Sequence, residues 1–600
     1  MDAPRIMASQ LGYLCAARKR IYLRASDATM GASAAAAPTG SGAPFEIQDM
    51  ASVDTESLGA FENWKTVYKG AFTRHSGPMG DWLVGDFSGV TRPGLYRAVL
   101  PGVTAWSFPF VISDGAYSRL IPMFLNYVHS QRCGDFENEL RGPCHLDDGT
   151  RSDTGEPVDA VGGWHDAGDL RKWMVTTPMP ILGFFALRDR LGYARNWWGE
   201  RPHEDDVLAE ASWGLRWLLK MQDPATGMFY EDVGGGGDSR RKPGMSWWYE
   251  NHAGCYADNS GNHFSDNRPQ SGDERQVRVQ YNPIVQYQAV TILMDAVDQF
   301  KAHYPAFSLL CRQAALRCWD FLKSRRRDEF HGWTSVLSWR LLAALRLQAT
   351  GVVADAEVSA LVSVLLDQQS ADHGFWFMDS ARREPYRGIL HSAQPLIALG
   401  AFIEADFDHP LVGPARDALA RCRDRYVLPM LATNPFGIMP YGVFSSRKTE
   451  TDVYRELTGG LLYRFYMPDH SPERINHGLS GHWTSWAHGL AVVGRVLESE
   501  VCRQAALDQL EWLTGCNPLG VSGITGAGYR NPTPYSRFYG PLPGGFCVGP
   551  RGTDKDEIWM DTEGRTVWSS GEYWMVPIAN TLLALSHLLP ARVLPAGKIG

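Results

Sequence analysis

Two carboxylates stand three residues apart in the segment VGGWHDAGDLRKW, residues 161–173, beside one histidine, three glycines and two tryptophans. Asp166 and Asp169 repel each other when both are charged, so such a pair needs a nearby positive group or a proton on one member. Paired carboxylates suit hydrolysis of a glycosidic bond, in which one activates a water and a distant acid protonates the leaving oxygen. The spacing alone identifies neither which aspartate is the base nor where the distant acid lies.

A structural alternative exists for an aspartate in such a turn. It caps a helix by accepting backbone N–H bonds, and we expect a helix to begin near Leu170. For a single aspartate this cap is the favoured interpretation. The second aspartate at i+3, preceded by two glycines that let the backbone approach closely, favours the catalytic interpretation.

Composition limits the classes of function. A chain of 600 residues with 44% hydrophobic and 21% charged residues predicts a globular protein of more than one domain. The net charge of -8 gives no basic footprint for nucleic acid, and no apolar run is long enough to span a membrane. The ten cysteines are scattered, which is not typical of a disulfide scaffold. Oligomeric state is left open.

The N-terminus MDAPRIMASQLGY lacks the apolar core of a signal peptide. The expectation is therefore a cytoplasmic protein if the sequence is complete, and a secreted or periplasmic one if a leader was removed.

The pattern of residues changes near residue 113. Before it, short runs rich in β-branched and aromatic residues predict strands at 19–24, 44–49, 65–72, 94–100 and 107–113. Several short strands over about a hundred residues predict a β-sandwich of immunoglobulin type, with a Gly- and Pro-rich loop at 31–44. We therefore predict a first domain over residues 1–113.

After residue 113 the apolar spacing is that of helices, with about twelve segments separated by long loops. The clearest are 208–222, 281–300, 338–351, 357–369, 501–515 and 579–589. Consecutive helix pairs in this number could close into an all-α toroid, with the loops gathered at one end around a cleft. We predict one such domain over residues 114–600.

Six segments in the same order resemble glycoside hydrolase family 9, the family of many cellulases, in its subgroup with an N-terminal immunoglobulin-like domain. They are SQLGYL at 9–14, QRCG with GPCHLDDG at 131–149, GGWHDAGD at 162–169, WLTGCNPLGVSGITGAG at 512–528, PLPGGFCVGP at 541–550 and GEYWMVPIANTLLAL at 571–585. GGWHDAGD is the most specific of them. The resemblance covers nearly the whole chain and implies a catalytic domain folded as an (α/α)6 barrel.

The resemblance implies roles for three acids. Asp169 would be the general base, Asp166 would help hold the same water, and Glu572, at the start of the final helix, would be the general acid of an inverting reaction. Inversion needs room for a water, so the base and acid carboxyl groups should lie about 6.5–9.5 Å apart. Tyr573 and Trp574 would give Glu572 the apolar surroundings that keep an acid protonated. The alternative for Glu572 is a carboxylate favoured by a helix dipole.

Two thiols and two imidazoles near this loop are ligands of the zinc type: Cys133, Cys144, His145 and His165. Similar family members hold zinc with this arrangement, so the resemblance implies a structural zinc that ties the catalytic loop to the preceding segment. The alternative is buried cysteine beside polar loop histidines.

The chain departs from the family where many members have a His-Pro-His-His-Arg stretch that contacts sugar. Here it reads YRNPTPYSRFYG at 529–540, in which Arg537 stands for the arginine. A loop at 244–264 is rich in aromatics, and could close one end of the cleft and favour exo action. The predicted sugar contacts are Trp247, Trp248, Tyr249, Arg537 and Tyr573, with weaker aromatic candidates in 373–379 and 434–442; the alternative for each ring is a place in the core.

These observations predict an inverting hydrolase of β-glycosidic bonds in gluco-configured oligo- or polysaccharides, such as cellooligosaccharides. The first alternative is an exo-acting β-glucosaminidase on glucosamine-containing oligosaccharides. A polysaccharide lyase on a similar toroid, or a carbohydrate-binding protein without activity, are alternatives of other classes. A lyase would tolerate loss of Asp169 and release a product that absorbs in the ultraviolet, whereas the intact set of three acids argues against an inactive protein.

Overall fold

The structure is a computed structural model that describes residues 6–27, 41–50, 64–102, 105–135, 142–193, 205–234, 265–326, 329–405, 408–469, 477–536 and 540–590. Four of the five predicted sugar contacts lie outside these ranges and stay predictions: Trp247, Trp248, Tyr249 and Arg537. Most of the predicted loop at 31–44 also lies outside, and its last residue, Pro44, begins a strand.

Two antiparallel sheets form the N-terminal part. Their strands are β1 (Ile6–Met7), β2 (Arg20–Arg24), β3 (Pro44–Asp49), β4 (Lys65–Ala71), β5 (Thr73–Gly77), β6 (Gly80–Asp86), β7 (Gly94–Val99) and β8 (Phe110–Ile112). One sheet has the order β1-β2-β6-β5 and the other β4-β3-β7-β8. All five strands predicted from sequence are present, within three residues at each end.

Alternate residues of the two sheets meet in one apolar core. Ile21 and Leu83 from the first sheet and Phe45, Ile47 and Phe110 from the second are buried in the same cluster. In β3 the buried residues alternate with partly exposed ones, as expected for a strand with one face on the core. The arrangement is consistent with a β-sandwich.

Helices dominate the chain after residue 119. They are α1 (Leu120–Ser130), α2 (Met179–Leu191), α3 (Asp206–Lys220), α4 (Pro283–Phe300), α5 (Pro305–Arg325), α6 (Thr334–Gln348), α7 (Asp355–Asp367), α8 (Gln394–Ala405), α9 (Val412–Cys422), α10 (Leu428–Leu431), α11 (Ser480–Val496), α12 (Glu500–Leu513), α13 (Trp568–Gly571) and α14 (Met575–Leu588). A π-helical turn, Arg423–Val427, joins α9 to α10. All six helices predicted most clearly from sequence are present, within four residues at each end.

Six helices make a closed ring of contacts, in the order α2, α4, α6, α8, α11, α14 and back to α2. Helices α3, α5, α7, α9 and α12 each pack outside a ring helix. The burial patterns explain this division. Nearly every residue of α11 is buried, whereas α5 buries one stripe that includes Cys311, Ala315, Cys318 and Leu322. A helix buried all round belongs inside, and an amphipathic helix covers it.

Long segments before the ring helices carry short strands. One sheet has the order β10-β11-β12-β9, made of β9 (Thr150–Arg151), β10 (Lys172–Trp173), β11 (Asp232–Gly234) and β12 (Gln276–Arg278). The others are β13 (Gly442–Phe444), β14 (Arg455–Glu456), β15 (Leu462–Arg464), β16 (Arg551–Gly552) and β17 (Ile558–Trp559). The candidate acids lie on these segments, at the end where the ring helices begin.

The sandwich and the helical part share buried contacts. Phe436, from the loop after α10, packs its ring against Tyr22 of β2, Trp82 of β6 and Trp512 of α12. Arg18 forms an ion pair with Asp508 of α12. Within the described ranges, no helix combines the length and the apolar character needed to cross a bilayer, and no disulfide joins the described cysteines.

Candidate active site

Backbone pairing holds the turn that carries both aspartates. The N–H of His165 donates to the carbonyl of Gln131 at 2.9 Å, and the N–H of Cys133 donates to the carbonyl of Gly163 at 2.8 Å. The first half of the GGWHDAGD motif therefore runs alongside residues 131–133, at the end of α1. This pairing fixes where the motif lies before any side chain is considered.

Gly163 shows why the motif begins with glycines. Its φ is +72°, in the left-handed region that side chains disfavour, and an added Cβ would lie 2.6 Å from the ring of Trp217 in α3. The sequence predicted a close backbone approach here, and the structure identifies Trp217 as the group approached.

Asp166 is buried, at 3% exposure. Its Oδ2 accepts a hydrogen bond of 2.8 Å from the hydroxyl of Thr176, and its Oδ1 accepts one of 3.3 Å from the N–H of Trp173. Burial, reinforced by the charge of Asp169, raises the pKa of Asp166 well above the usual range of an aspartate. Burial thus favours a proton on Asp166, and this relieves the repulsion between the two aspartates.

Asp169 is partly exposed, in contrast to Asp166. Its Oδ1 accepts a 3.1 Å hydrogen bond from the N–H of Arg171, two residues on. The helix expected near Leu170 is absent, so that prediction was wrong. Leu170 has a φ of +72°, which a right-handed helix does not allow, and residues 172–173 form β10 instead. The aspartates close a turn, and α2 begins only at Met179.

Glu572 lies between two helices and does not begin one. It has extended backbone angles, φ −64° and ψ 132°, after α13 and before α14. The expectation that the final helix starts at Glu572 was therefore wrong, because α14 begins three residues later, at Met575. The alternative that a helix dipole favours the Glu572 carboxylate loses its basis. Like Asp169, Glu572 is partly exposed.

The two acid-bearing segments are joined through their backbones. The N–H of Gly168 donates to the carbonyl of Tyr573 at 3.1 Å, and the N–H of Met575 donates to the carbonyl of Asp166 at 2.9 Å. A Cβ on Gly168 would lie 3.2 Å from Cγ of Glu572 and 2.3 Å from the carbonyl oxygen of Tyr535. Only glycine fits at this crossing, which brings residues more than 400 positions apart into contact.

Tyr573 was predicted to contact sugar. It is 1% exposed, its hydroxyl lies 2.8 Å from that of Thr525, and it accepts from the N–H of Leu542. These are packing contacts, so no sugar-binding role is retained for it. The rings of Trp376 and Phe436, within the two weaker aromatic stretches, are buried at 3% and 2% exposure and belong to the core.

The four predicted zinc ligands come together. Cys133, Cys144, His145 and His165 are all buried, and one donor atom from each lies within 4.8 Å of the others. His145 Nδ1 is 3.5 Å from the sulfur of Cys133 and 3.4 Å from Nε2 of His165. Two sulfurs and two imidazole nitrogens in one buried cluster fit tetrahedral zinc. Burial raises the pKa of the Cys133 thiol to about 12. A bound cation would offset the cost of burying the thiolate form.

The sequence reasoning missed a buried charged network beneath the turn. Asp148 pairs with Lys172 at 2.7 Å and with Arg275, which also donates to the carbonyl of Leu170. These two cations hold the pKa of Asp148 below its usual range, although burial opposes the shift. Lys172, just after the motif, and Asp148, in the earlier segment GPCHLDDG, were the available signal.

A second buried network lies beside the first. Asp232 of β11 pairs with Arg278 of β12 and, at 3.1 Å, with Arg171. Arg171 also lowers the pKa of Asp166, against the larger effect of burial. Positive charge is therefore close to the aspartate pair, as the repulsion argument required.

Part of the chain is similar to a known protein family. Residues 117–373 match the model of glycosyl hydrolase family 9. A cellodextrinase of Butyrivibrio fibrisolvens is 29% identical over 232 residues, which is 36% of this chain and 38% of that protein. The match thus spans well under half of that relative's length.

Solved structures of low identity share the fold. A single-mutant thermostable endoglucanase from Alicyclobacillus acidocaldarius has a TM-score of 0.63 at 20% identity, over 98% of this chain and 100% of that one. A Zn-binding triple mutant of the family 9 endoglucanase J30 has a TM-score of 0.64 at 20% identity, over 96% and 100%. The family match over residues 117–373 covers less than half of the chain, and the solved structures show that the fold is shared.

Proposed function

We propose that the chain is an inverting glycoside hydrolase that cleaves β-glycosidic bonds in gluco-configured oligo- or polysaccharides of the cellooligosaccharide type. One observation carries the proposal: Gly168 joins the Asp166–Asp169 turn to the backbone of Tyr573 and packs against Glu572. Two partly exposed carboxyl groups, Asp169 and Glu572, thus lie on adjoining segments whose other residues are mostly buried.

In the proposed reaction Asp169 takes a proton from a water as it attacks the anomeric carbon. Glu572 gives its proton to the departing glycosidic oxygen, so the bond breaks without a free alkoxide. Asp166, held by Thr176 and by the backbone of Trp173, keeps that water in line through the proton that its burial favours. Attack from the face opposite the leaving group inverts the anomeric centre.

A structural zinc is part of the proposal. Cys133, Cys144, His145 and His165 would hold it, and four protein donors leave no open position for chemistry at the metal. His165 directly precedes Asp166, so a fixed His165 fixes the start of the catalytic turn. The Zn-binding mutant of endoglucanase J30 has the same fold, which supports a metal in this architecture.

The domain assignment is also proposed. Residues 1–113 would form an immunoglobulin-like sandwich and residues 114–600 an (α/α)6 barrel. Support comes from the gap between β8, which ends at Ile112, and α1, which begins at Leu120. The closed ring of six helices with helices packed outside supports the barrel.

Product release from a panel of β-linked gluco- and glucosamine oligosaccharides tests the function, with wild type beside Asp169→Asn. Hydrolysis of a gluco-configured member by wild type alone is the expected result. Cleavage of the glucosamine oligosaccharides alone would replace the proposed gluco-configured substrates by glucosamine-containing ones. Equal activity of the two proteins, with a product absorbing in the ultraviolet, would contradict hydrolysis through Asp169.

A further inference from the structure

A cavity of about 260 Å³ lies inside the ring of six helices, away from the candidate acids. Each ring helix contributes to its wall, for example through Phe185, Asp295, Trp339, Ile397, His488 and Asn580. Its partly exposed residues include members of the last turns of four helices: Arg190, Arg346, Glu404 and His587. The cavity therefore runs inward from the end of the ring where the helices finish, opposite the end that carries Asp169 and Glu572.

Two side chains on this wall are buried without a hydrogen-bond partner. Asn580 of α14 is 3% exposed, and His488 of α11 is 6% exposed. Within the described ranges, the amide nitrogen of Asn580 and Nδ1 of His488 make no hydrogen bond. A half-turn of either side chain exchanges the atoms that it presents to the cavity. Buried polar atoms without partners cost free energy, and a ligand that supplied the missing bonds would remove that cost.

The charged groups at the mouth of the cavity are balanced. Arg190 pairs with Glu404 at 3.0 Å, and Arg346 pairs with Asp295 at 2.9 Å. Asp189, which also lines the mouth, is exposed to solvent, where water and salt screen its charge. A charged ligand inside the cavity would lose its hydration without finding a free counter-charge, so the occupant is expected to be neutral.

The deeper wall combines neutral polar groups with apolar ones. Burial lowers the pKa of His488 to about 3, so its imidazole stays neutral in the physiological range. A hydroxyl both donates and accepts, so it can pair with this imidazole in either tautomer and with either end of the Asn580 amide. Along the helices, the residues between these groups and the mouth are apolar: Phe185, Leu342, Ile397, Val492 and Leu583.

We propose that this cavity binds one neutral pyranose sugar, at a site separate from the proposed catalytic acids. The sugar hydroxyls would pair with Asn580 and His488, and the C–H faces of the ring would pack on the apolar wall. A purely apolar occupant would leave both polar side chains unpaired. The volume lies below the about 300–1,000 Å³ typical of sites for drug-sized ligands, so it suits a single ring and excludes an oligosaccharide chain.

Such a site would let the folded chain respond to free sugar at the end of the ring where no bond is cleaved. Asn580 lies on α14, and the N–H of Met575 at the start of that helix donates to the carbonyl of Asp166 at 2.9 Å. A sugar that binds the folded chain alone stabilises it against unfolding. The inference is independent of which bond the acids cleave.

Glucose binding to the full chain tests the proposal, by titration calorimetry and by the melting temperature at increasing glucose. We expect one site with a dissociation constant of about 1 mM or below, and a melting temperature that rises with glucose. Asn580→Leu keeps the shape of the side chain without its polar atoms, and should weaken binding by about tenfold or more. Ala401→Phe, which fills the cavity from α8, should abolish binding. Glucuronate, a similar ring with a negative charge, should bind at least about tenfold more weakly than glucose.

Ser586→Ala is the matched control, because Ser586 is a buried polar residue of the same helix whose hydroxyl donates to the carbonyl of Leu583 at 2.7 Å. It should bind glucose as wild type does. If Asn580→Leu fails to fold, Ala401→Phe decides the question. Glucose held in the catalytic cleft would bind both variants as it binds wild type.

That result would overturn the proposal, as would the absence of saturable glucose binding in wild type or glucuronate binding as tight as that of glucose. None of these outcomes bears on the hydrolase proposal, which is tested by product release.

Discussion

The N–H of Gly168 donates to the carbonyl oxygen of Tyr573 at 3.1 Å. Together with the bond from the N–H of Met575 to the carbonyl of Asp166, it joins the turn of Asp166 and Asp169 to the segment of Glu572, although most of the helical part of the chain separates the two in sequence. The proposed base and acid are consequently carried by one paired backbone.

Asp169→Asn should abolish most of the hydrolysis. The amide cannot take a proton from water, so kcat should fall by about 100- to 10,000-fold while KM changes little. Steady-state kinetics on the cleaved oligosaccharide measures both constants. Asp153→Asn is the control, since Asp153 is exposed and pairs with Arg151; comparable losses in the two variants would contradict a specific role for Asp169.

Glu572→Gln should show a dependence on the leaving group. Without the acid, a natural sugar leaves poorly, whereas an aryl group of low pKa leaves without protonation. We expect kcat on a cellooligosaccharide to fall by about 100-fold or more, and kcat on a dinitrophenyl glycoside to fall far less. Equal losses on both substrates would exclude Glu572 as the acid.

Cys144→Ser should remove the metal and loosen the catalytic turn. Zinc content, measured by mass spectrometry, should fall from about one per chain to well below half, and the melting temperature should fall with it. Cys15→Ser is the control because Cys15 lies in the N-terminal part and outside the cluster. Full zinc content in Cys144→Ser would refute the ligand assignment.

Gly163→Ala should destabilise the protein by more than the strain of an alanine at a positive φ alone explains. The methyl group would meet Trp217, so we expect a loss of about 2–4 kcal/mol in the free energy of unfolding. Gly351→Ala provides the comparison: φ is +75° there, and no atom lies within 4 Å of an added Cβ. Denaturant unfolding of both variants separates the clash from the strain, and equal losses would argue against the clash.

Glu511→Gln should remove a pH dependence of stability. Burial, with the charge of Asp508, raises the pKa of Glu511 well above its usual value. The folded protein then holds a proton that the unfolded chain loses above about pH 4.3, so stability is lost as pH rises.

Between pH 5 and pH 8 the free energy of unfolding of wild type should therefore decline relative to Glu511→Gln, by up to about 1.4 kcal/mol per pH unit. Urea unfolding at several pH values measures the difference. Glu500→Gln, an exposed change on the same helix α12, should keep the wild-type slope. A parallel pH profile for wild type and Glu511→Gln would contradict the shift.

Much of the fold was accessible from sequence because its signals are local. Apolar spacing in α4 and α12, and β-branched runs in β3 and β7, predicted those elements to within two residues. The strand β5, Thr73–Gly77, was missed because its residues are exposed and polar and its strand character comes from pairing with β6.

The candidate site, too, was predictable from sequence only where its signals are local. The motif predicted Asp166 and Asp169, and the residue types with the family resemblance predicted the four metal-type ligands, which the structure brings together. It could not predict that Leu170 takes a left-handed conformation, nor that Tyr573 is buried, because both follow from contacts with distant segments. The pairs of Asp148 with Arg275 and of Asp232 with Arg278 are likewise visible only once the loops are folded together.

The anomeric form of the first product tests the proposed mechanism most directly. Proton NMR during the first turnovers of wild type on the cleaved β-linked oligosaccharide follows the new reducing end before mutarotation. We predict that the α-anomer appears first, and that Asp169→Asn forms neither anomer at a comparable rate. Initial appearance of the β-anomer, or an undiminished rate in Asp169→Asn, would contradict an inverting reaction through Asp169 and Glu572.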